Sequence, residues 1–456
     1  MRNVIIDCSD FAPSSLPPAL RIRFFANYLA EFGWNPILVT TDARYYEQTV
    51  DWENERLVSD SVEVIRTKAI PAAVSRRLAF GDLGLRSLWH HWAAMRDVCS
   101  RRKVDLVFIS VPPYFPIVLG RLIKRQFGIP YVIDYIDPWV TDYYWHLPRK
   151  LRPPKWPLAD AISRTLEPLA IRHASAIVGV SSGTTEGIVA RYKWLKGIPT
   201  AEIPYGGELA DFEYLKCNPR KQAIFDRGDG MLHMSYIGVC SPQHYSAVRA
   251  VFDAIRLGLA RAPKTFARLR LHFVGSTYAP SGTHSAALIS QMARDYGVQE
   301  FVDEKPERVS YLESLQLLLD SHVLLLLGSE EPHYTASKVF PYLLSGRPLF
   351  AVFNEASTVV SILREVGKGC VVTFSERNPA SSQANLISTQ LEQVLLSSTD
   401  RDVGVSQSRF EKYTTRAMTA RLAALFDSVV SPSNTSAESV SMKDVSGYLS
   451  RTTSLK

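Results

Sequence analysis

Polar side chains collect directly after the apolar run 322–327. They are Glu330, Glu331, His333, Ser337 and Lys338. The apolar run predicts a buried strand, and the polar residues lead into a predicted helix that begins near 336–337. The free N–H groups and partial positive charge of a helix N-terminus suit a diphosphate, and Lys338 adds a full positive charge. The carboxylates just upstream have the chemistry to bind sugar hydroxyls instead.

Each of these residues also has a plainer interpretation. Ser337 is a suitable helix cap, and Lys338 in a first helical turn can simply be solvated. A positive charge is unfavourable at that position unless an anion lies nearby, which is the argument for a bound ligand. His333 in a loop can contact that ligand, or it can be a solvated or capping residue.

A second polar group lies at the end of the apolar segment 131–135. Asp134 and Asp137, with Trp139, stand at the carboxyl end of this predicted strand, which favours contacts with an acceptor or a sugar. The alternative is that the two aspartates cap the following helix. A metal site is not expected, because no further carboxylate or histidine is clustered with the pair.

Two glycines and one mixed segment complete the candidate sites. Gly238 and Gly275 each follow a predicted strand and would let the backbone approach a ligand, although such glycines are frequent in strand-to-helix loops. The segment 138–158, PWVTDYYWHLPRKLRPPKWPL, interleaves aromatic and basic residues with prolines. This composition suits a lipid interface or a lipid-phosphate acceptor, and it suits a proline-rich surface loop equally well.

The elements that must position these residues alternate along the whole chain. Short apolar runs and helical patterns follow one another, which predicts βαβ units around parallel sheets. The predicted strands are 4–6, 37–40, 62–65, 106–110, 131–135 and 176–180 in the first half, and 234–237, 271–274, 322–327, 349–352 and 370–373 in the second half. We therefore expect an α/β chain with two Rossmann-like domains that face each other across a cleft.

The expected divisions follow from composition. They are an N-terminal domain at 1–205, a linker at 206–230, a C-terminal domain at 231–405, a final helix at 406–430 that crosses back to the N-terminal domain, and a disordered Ser/Thr-rich tail at 431–456.

Composition excludes several classes of protein. The 456 residues are 46% hydrophobic and 21% charged, which argues against wholesale disorder and fibrous repeats. The net charge of +7 comes without a long Lys/Arg block, so no nucleic-acid partner is expected. The five cysteines are scattered singly, which argues against a zinc site and a disulfide framework. No secretory signal or membrane-spanning run is evident, so we expect a cytoplasmic protein.

Several segments resemble, in the right order, the retaining GT-B glycosyltransferases of family four, also named glycosyl transferases group 1. The resemblance spans about 1–428. The quoted segments are FAPSSLPPALRIRFFANYLAEFGWNPILVTT, GIPYVIDYIDPWVTDYYW, ASAIVGVSSG, AEIPYGGELADF, MSYIG, LHFVGS and SKVFPYLLSGRPLFAV. The last of these is the most specific, since it matches the family's donor-binding helix.

The departures from the family pattern concern the site. The family has two glutamates eight positions apart, and this alignment places His333 and Pro341 there. The basic residue that follows the first strand of the family's second domain is missing from YIGVCSPQHY, and Tyr205 stands where the family has Asn.

The resemblance implies a glycosyltransferase that moves a sugar from a nucleotide-diphosphate sugar to a saccharide or lipid-linked acceptor, without a cofactor or metal. It implies a retaining reaction in surface-polysaccharide or glycoconjugate synthesis, with association at the inner face of the membrane. It also implies that the N-terminal domain, 1–205, binds the acceptor and that the C-terminal domain, 231–405, binds the nucleotide sugar. Asp137 and Lys338 are the expected catalytic residues. The alternatives are a catalytically degenerate binding protein of the same fold and a nucleotide-sugar epimerase.

Overall fold

The computed structural model describes residues 1–48, 50–78, 81–146, 149, 152, 153, 155–277, 287–330, 337–397 and 407–431. The chain divides into two compact units. Unit 1 is Met1–Gly206 with the chain from Thr415 onward, and unit 2 is Gly207–Thr414.

Strands and helices alternate as the sequence predicts. The strands are β1 Arg2–Asp7, β2 Trp34–Thr41, β3 Glu63–Thr67, β4 Leu106–Val111, β5 Tyr131–Tyr135, β6 Ala176–Gly179, β7 Thr200–Glu202, β8 Leu232–Ile237, β9 Leu269–Val274, β10 Val302–Lys305, β11 Val323–Leu327, β12 Leu349–Asn354 and β13 Cys370–Phe374. The helices are α1 Pro17–Leu29, α2 Ala72–Ser75, α3 Leu83–Arg101, α4 Ile117–Phe127, α5 Tyr143–His146, α6 Trp156–Ile171, α7 Ser182–Arg191, α8 Leu209–Cys217, α9 Tyr245–Arg261, α10 Pro263–Phe266, α11 Leu288–Asp295, α12 Tyr311–Asp320, α13 Val339–Leu344, α14 Thr358–Val366, α15 Ala384–Ser397, α16 Gln407–Phe410 and α17 Thr415–Val430.

Each unit contains one parallel sheet. The strand order is β3-β2-β1-β4-β5-β6-β7 in unit 1 and β10-β9-β8-β11-β12-β13 in unit 2. In each sheet the order reverses beside the first strand, between β1 and β4 and between β8 and β11. Ligands of open parallel sheets bind at the carboxyl ends of the strands near such a reversal. The two sheets therefore confirm the prediction of two Rossmann-like domains.

The sheet of unit 1 is covered on both faces. One face packs against α1 and α17 through residues such as Phe25, Phe108 and Phe426, and the other packs against α3, α4 and α6. Coverage on both sides explains why the central strands are almost continuously apolar.

The sequence analysis did not predict two of the strands. They are β7 and β10, with the sequences TAE and VDEK. Both lie at an edge of their sheet. Edge strands are short and carry charged residues, since these discourage pairing with other chains, and this removes the apolar signal by which a strand is recognised.

Two predicted boundaries differ from the structure. Residues 209–217 of the expected linker form α8, which belongs to unit 2. The final helix does not run unbroken from 406, because Thr414 has an extended backbone and forms a parallel bridge with Gly207. The helix α17 that follows packs against α1 in unit 1. The predicted tail at 431–456 lies outside the described residues apart from Ser431.

Within the described ranges, no helix combines the length and the apolar character that crossing a bilayer requires.

Candidate active site

Lys338 lies immediately before α13, and the helix begins later than the sequence predicts. The first helical residue is Val339, Lys338 occupies the capping position, and no side chain caps the helix. The prediction that Ser337 is the cap is therefore wrong. Pro341 explains the late start: in a helix from Val339 its missing N–H falls in the first turn, where no hydrogen bond is lost.

The Lys338 side chain reaches back to the end of β8. Its Nζ donates hydrogen bonds to Tyr236 Oη at 2.9 Å and to the Val239 carbonyl at 3.1 Å. The same ammonium lies 4.2 Å from the centre of the Tyr236 ring, a cation–π contact. The Lys338 ammonium therefore lies at the turn after β8, where the family has a basic residue that the segment YIGVCSPQHY lacks.

Gly238 lies against this lysine. A Cβ at position 238 would lie 2.6 Å from Lys338 Cε, the movable end of a flexible side chain, and the glycine φ of 115° belongs to the region that other residues avoid. The backbone conformation is therefore the main reason for glycine at this position. The predicted approach of a ligand to Gly238 stays a prediction.

The Lys338 ammonium contacts neutral groups, and among the described residues no carboxylate forms an ion pair with it. Burial lowers the pKa of Lys338 to about 8. Burial also raises the pKa of Cys240 to about 12 and, with help from the Lys338 charge, lowers the pKa of His244 to about 4. Glu304 is a charged neighbour of the turn, since its carboxylate accepts from Ser276 Oγ at 2.6 Å and acts on Cys240. A half-buried cation whose own contacts are neutral has the charge to attract an anion.

Gly275 lies beside this turn, at the end of β9. Its φ is 68°, and its N–H donates to the Lys305 carbonyl at 2.8 Å. The N–H of Gly275 is thus engaged in a hydrogen bond to the end of the neighbouring strand β10. The turns after β8 and β9 are joined directly, since the Cys240 N–H donates to the Ser276 carbonyl at 2.9 Å.

The remaining donor candidates lie after β11. Glu330 is exposed, and its N–H donates to the Gln243 carbonyl at 3.2 Å, which brings it to the segment that follows β8. Glu331 and His333 lie outside the described residues, so their roles stay predictions. The structure thus gathers Gly238, Gly275, Glu330 and Lys338 at the carboxyl edge of the unit 2 sheet.

Asp134 of unit 1 is held by an arginine that the sequence analysis missed. Both carboxylate oxygens accept hydrogen bonds from Arg21, from Nε and Nη2, at 2.8 Å each. The two side chains are 1% and 0% exposed. Asp134 therefore forms a buried bidentate ion pair with α1 and caps no helix. The available signal was the presence of an arginine among apolar residues in the predicted first helix.

Asp137 and Trp139 lie just beyond β5. Asp137 is exposed, and desolvation by the surrounding protein still raises the pKa of its carboxyl group. Trp139 stacks on Tyr114 with ring centres 5.5 Å apart and an interplanar angle of 5°. The loop thus presents a carboxylate beside a fixed aromatic surface, an arrangement suited to a sugar.

Glu167 of α6 fixes this loop from behind. Its carboxylate accepts hydrogen bonds from Tyr135 at 3.2 Å and Tyr192 at 2.7 Å, and also from the backbone at Val140. Because Tyr135 and Val140 flank the loop, Glu167 holds both of its ends.

No group of three His, Cys, Asp or Glu side chains with the geometry for a metal ion occurs in the part of the chain that the structure describes.

Comparison with known proteins agrees with this arrangement. Residues 18–206 match the family model described as a glycosyl transferase 4-like domain. No curated protein matches the chain significantly.

Solved structures extend the likeness to both units. A glycosyltransferase from Rickettsia africae is 12% identical, with a TM-score of 0.56 over 95% of this chain and 99% of that one. A UDP-forming α,α-trehalose-phosphate synthase from Burkholderia xenovorans is 11% identical, with a TM-score of 0.57 over 94% and 99%. An E. coli structure described as trehalose-6-phosphate bound with UDP-2-fluoro glucose is 10% identical, with a TM-score of 0.55 over 93% and 99%.

The likeness to these structures shows the fold, and the matching domain shows the type of enzyme. The chain is a glycosyltransferase with a GT-B fold, and its residues 18–206 form a glycosyl transferase 4-like domain.

Proposed function

We propose that unit 2 binds a nucleotide-diphosphate sugar at the turn after β8, and that unit 1 binds the acceptor at the carboxyl end of β5. The observation that carries this proposal is the Lys338 ammonium, a desolvated cation that meets only neutral groups among the described residues. A diphosphate would supply the anion that this position lacks.

The reaction we propose is retaining and needs no metal. The bond between the anomeric carbon of the sugar and the diphosphate oxygen breaks, and a bond from that carbon to the acceptor oxygen forms on the same face. The proton of the acceptor hydroxyl passes to the departing diphosphate. Lys338 stabilises the negative charge that grows on the diphosphate, which is the main way in which a fixed cation accelerates such a step.

Unit 1 supplies the acceptor contacts in this proposal. Asp137 accepts a hydrogen bond from an acceptor hydroxyl, and Trp139 packs against the sugar ring. Asp134 acts through Arg21, which it holds in place.

Uridine diphosphate sugars are the first donors to test. The neighbouring synthase from Burkholderia xenovorans is UDP-forming, and the E. coli structure is bound with UDP-2-fluoro glucose. We therefore propose a panel of UDP-sugars, with GDP-, ADP- and dTDP-sugars beside them. Release of the nucleotide by purified protein, with and without a saccharide acceptor, tests the function. If no nucleotide sugar binds or is turned over, the chain is a binding protein of the same fold.

The acceptor we propose is a saccharide or a lipid-linked saccharide of a surface polysaccharide or glycoconjugate, reached from the inner face of the membrane. Support comes from the surface around α5 and α6. Trp145 is 52% exposed and Leu158 is 66% exposed. Arg152 lies over the rings of Trp145 and Trp156, at 6.0 and 5.4 Å. Exposed aromatic and aliphatic groups beside cations suit the headgroup region of an anionic bilayer.

Chelation should leave turnover unchanged. In the proposed site Lys338 supplies the positive charge that stabilises the departing diphosphate, so we expect that no divalent ion is needed. Initial rates with a turned-over donor are compared in EDTA and in Mg²⁺ or Mn²⁺. Loss of activity in EDTA, restored by either ion, would exclude the metal-free reaction.

Turnover should fall in alkaline solution because Lys338 loses its proton. The pKa of Lys338 in the free protein is about 8, with Tyr236, Cys240 and His244 as its titratable neighbours. Above that pH, kcat/KM for the donor should decrease about tenfold per pH unit. The kcat profile should break at a higher pH, since a bound diphosphate favours the charged lysine. Lys338→Arg stays charged throughout, so the break near pH 8 should vanish from its profile. A wild-type profile that stays flat to pH 10 would contradict this role.

A further inference from the structure

The ion pair of Arg21 and Asp134 is the centre of a larger buried polar cluster in unit 1. Ser110 of β4 lies opposite Asp134 of β5 in the parallel register, so both side chains emerge on the same face of the sheet. That face is covered by α1, which carries Arg21. The Arg21 guanidinium also lies 5.4 Å from the centre of the Tyr205 ring. We refer to Arg21, Ser110, Asp134 and Tyr205 as the Arg21 cluster.

Three buried polar atoms of this cluster have no hydrogen-bond partner among the described residues. They are Arg21 Nη1, Ser110 Oγ and Tyr205 Oη. Arg21 and Ser110 are 1% and 2% exposed. Buried donors and hydroxyls without a partner are destabilising, and native proteins satisfy nearly all of them with protein, water or ligand. Three such atoms in one cluster are groups that a polar ligand would satisfy.

The charges around the Arg21 cluster determine which kind of ligand it can bind. Asp134 already balances the charge of Arg21. Tyr205 lies within electrostatic range of Asp134 and Asp137, and Asp10 is a further buried carboxyl on the same edge of the sheet. The surroundings are therefore neutral to negative, which disfavours a phosphate or a carboxylate. A hydroxyl group fits, because its oxygen can accept from Arg21 while its proton is donated to Ser110 or Tyr205.

We propose that the Arg21 cluster is a subsite for a hydroxyl group of a neutral saccharide acceptor, and that Tyr205 sets its specificity. The inference rests on the proposed function, since it concerns the acceptor of the same reaction. Tyr205 as a whole is half-buried, although its hydroxyl is buried, and it lies within electrostatic range of both the buried ion pair and the exposed Asp137. A partly exposed residue whose hydroxyl is buried in the cluster suits a contact with an entering acceptor.

The test uses the full-length protein and small sugars as probes. Binding of methyl α-glucoside, methyl α-mannoside and methyl α-galactoside is measured by saturation-transfer NMR, with glucose 6-phosphate as the anionic comparison. The variants are Tyr205→Phe and Ser110→Ala, each of which removes one hydroxyl. Tyr131→Phe is the matched control, since that hydroxyl donates to the Ala170 carbonyl at 2.6 Å on the other face of the sheet.

We expect at least one methyl glycoside to bind, and glucose 6-phosphate to bind no more tightly than the neutral sugars. Tyr205→Phe and Ser110→Ala should each weaken glycoside binding about tenfold, the effect of losing one hydrogen bond. Without sugar, both variants should melt at or above the wild-type temperature, because each removes an unsatisfied buried hydroxyl. Tyr131→Phe should bind the glycosides normally.

Three results would overturn the proposal. One is unchanged glycoside binding in both variants, and another is tighter binding of the sugar phosphate than of every neutral sugar. The third is the absence of glycoside binding to the wild type, which would mean that a water molecule satisfies the three polar atoms. Binding of UDP, measured in parallel by calorimetry, separates the two levels of inference. UDP binding without glycoside binding refutes the subsite alone, whereas absence of both refutes the proposed function.

Discussion

Replacing Lys338 by alanine should lower donor-dependent turnover about 100-fold or more. The ammonium is fixed by two hydrogen bonds and a ring contact at the turn after β8, so its charge is in place before the diphosphate departs. Removal of one such preorganised charge typically costs about 2.7 to 4 kcal/mol of transition-state stabilisation. Turnover of the wild type and the variant is measured with the best donor of the panel.

Folding should be little affected by this substitution. A buried cation without an anion contributes no stability, and Tyr236 keeps its own hydrogen bond to the Val239 carbonyl at 2.8 Å. Melting temperatures of both proteins check this. Lys264→Ala, which removes an exposed lysine of α10 in the same unit, is the matched control and should keep full turnover. Near-normal turnover of Lys338→Ala would remove this residue from the site and the donor pocket from the turn after β8.

Replacing Arg21 by alanine should destabilise unit 1 by about 3 to 5 kcal/mol. The substitution leaves the Asp134 carboxylate buried without its partner, and both side chains are almost wholly removed from water. The measurement is urea unfolding followed by circular dichroism, read as the free energy of unfolding. Two units can unfold in separate transitions, so tryptophan fluorescence is recorded as well, since all eight tryptophans lie in unit 1.

A double variant separates the contribution of the Arg21–Asp134 ion pair to stability from that of the surrounding side chains. Arg21→Met with Asp134→Leu removes both charges and keeps apolar volume, so it should recover most of the lost free energy. Asn27→Ala, on the same helix, is a suitable control, since it removes two partly buried hydrogen bonds and no charge: one donated to the Leu57 carbonyl and one accepted from the Ser59 N–H. If Arg21→Ala lowers the free energy of unfolding by no more than about 1 kcal/mol, the ion pair contributes no more than an exposed one. That result would contradict the description of the Arg21 cluster as buried.

The sequence predicted the central strands and the segment that bears Lys338, because both are local patterns. A strand such as β11 is recognised from five apolar residues in a row, and the polar residues after it mark its carboxyl end. The direction of the Lys338 side chain was not predictable in this way. Its partner Tyr236 is 102 positions away in the chain, and that contact exists only once β8 and β11 lie side by side.

The Arg21 cluster shows the same limit more strongly. Arg21 and Asp134 are separated by 113 positions, so a single sequence gives no sign that one holds the other. Asp134 was therefore assigned to a ligand or a helix cap, the two uses visible from its neighbours. Edge strands and the start of α13 were missed for a local reason. The charged residues of β10 hide the apolar pattern of a strand, and Pro341 sets where α13 begins.

The bridge between Gly207 and Thr414 has a consequence for how the protein is made. It brings together the two ends of unit 2, which is one continuous stretch of chain. Unit 1 is split, because Met418, Leu422 and Phe426 of α17 complete the core around Phe108. On the ribosome, unit 2 therefore has all of its residues before unit 1 does, although unit 1 is begun first. The N-terminal sheet leaves the ribosome with one apolar face covered by α1 but not yet by α17, and this exposed apolar surface is where the nascent chain most needs a chaperone.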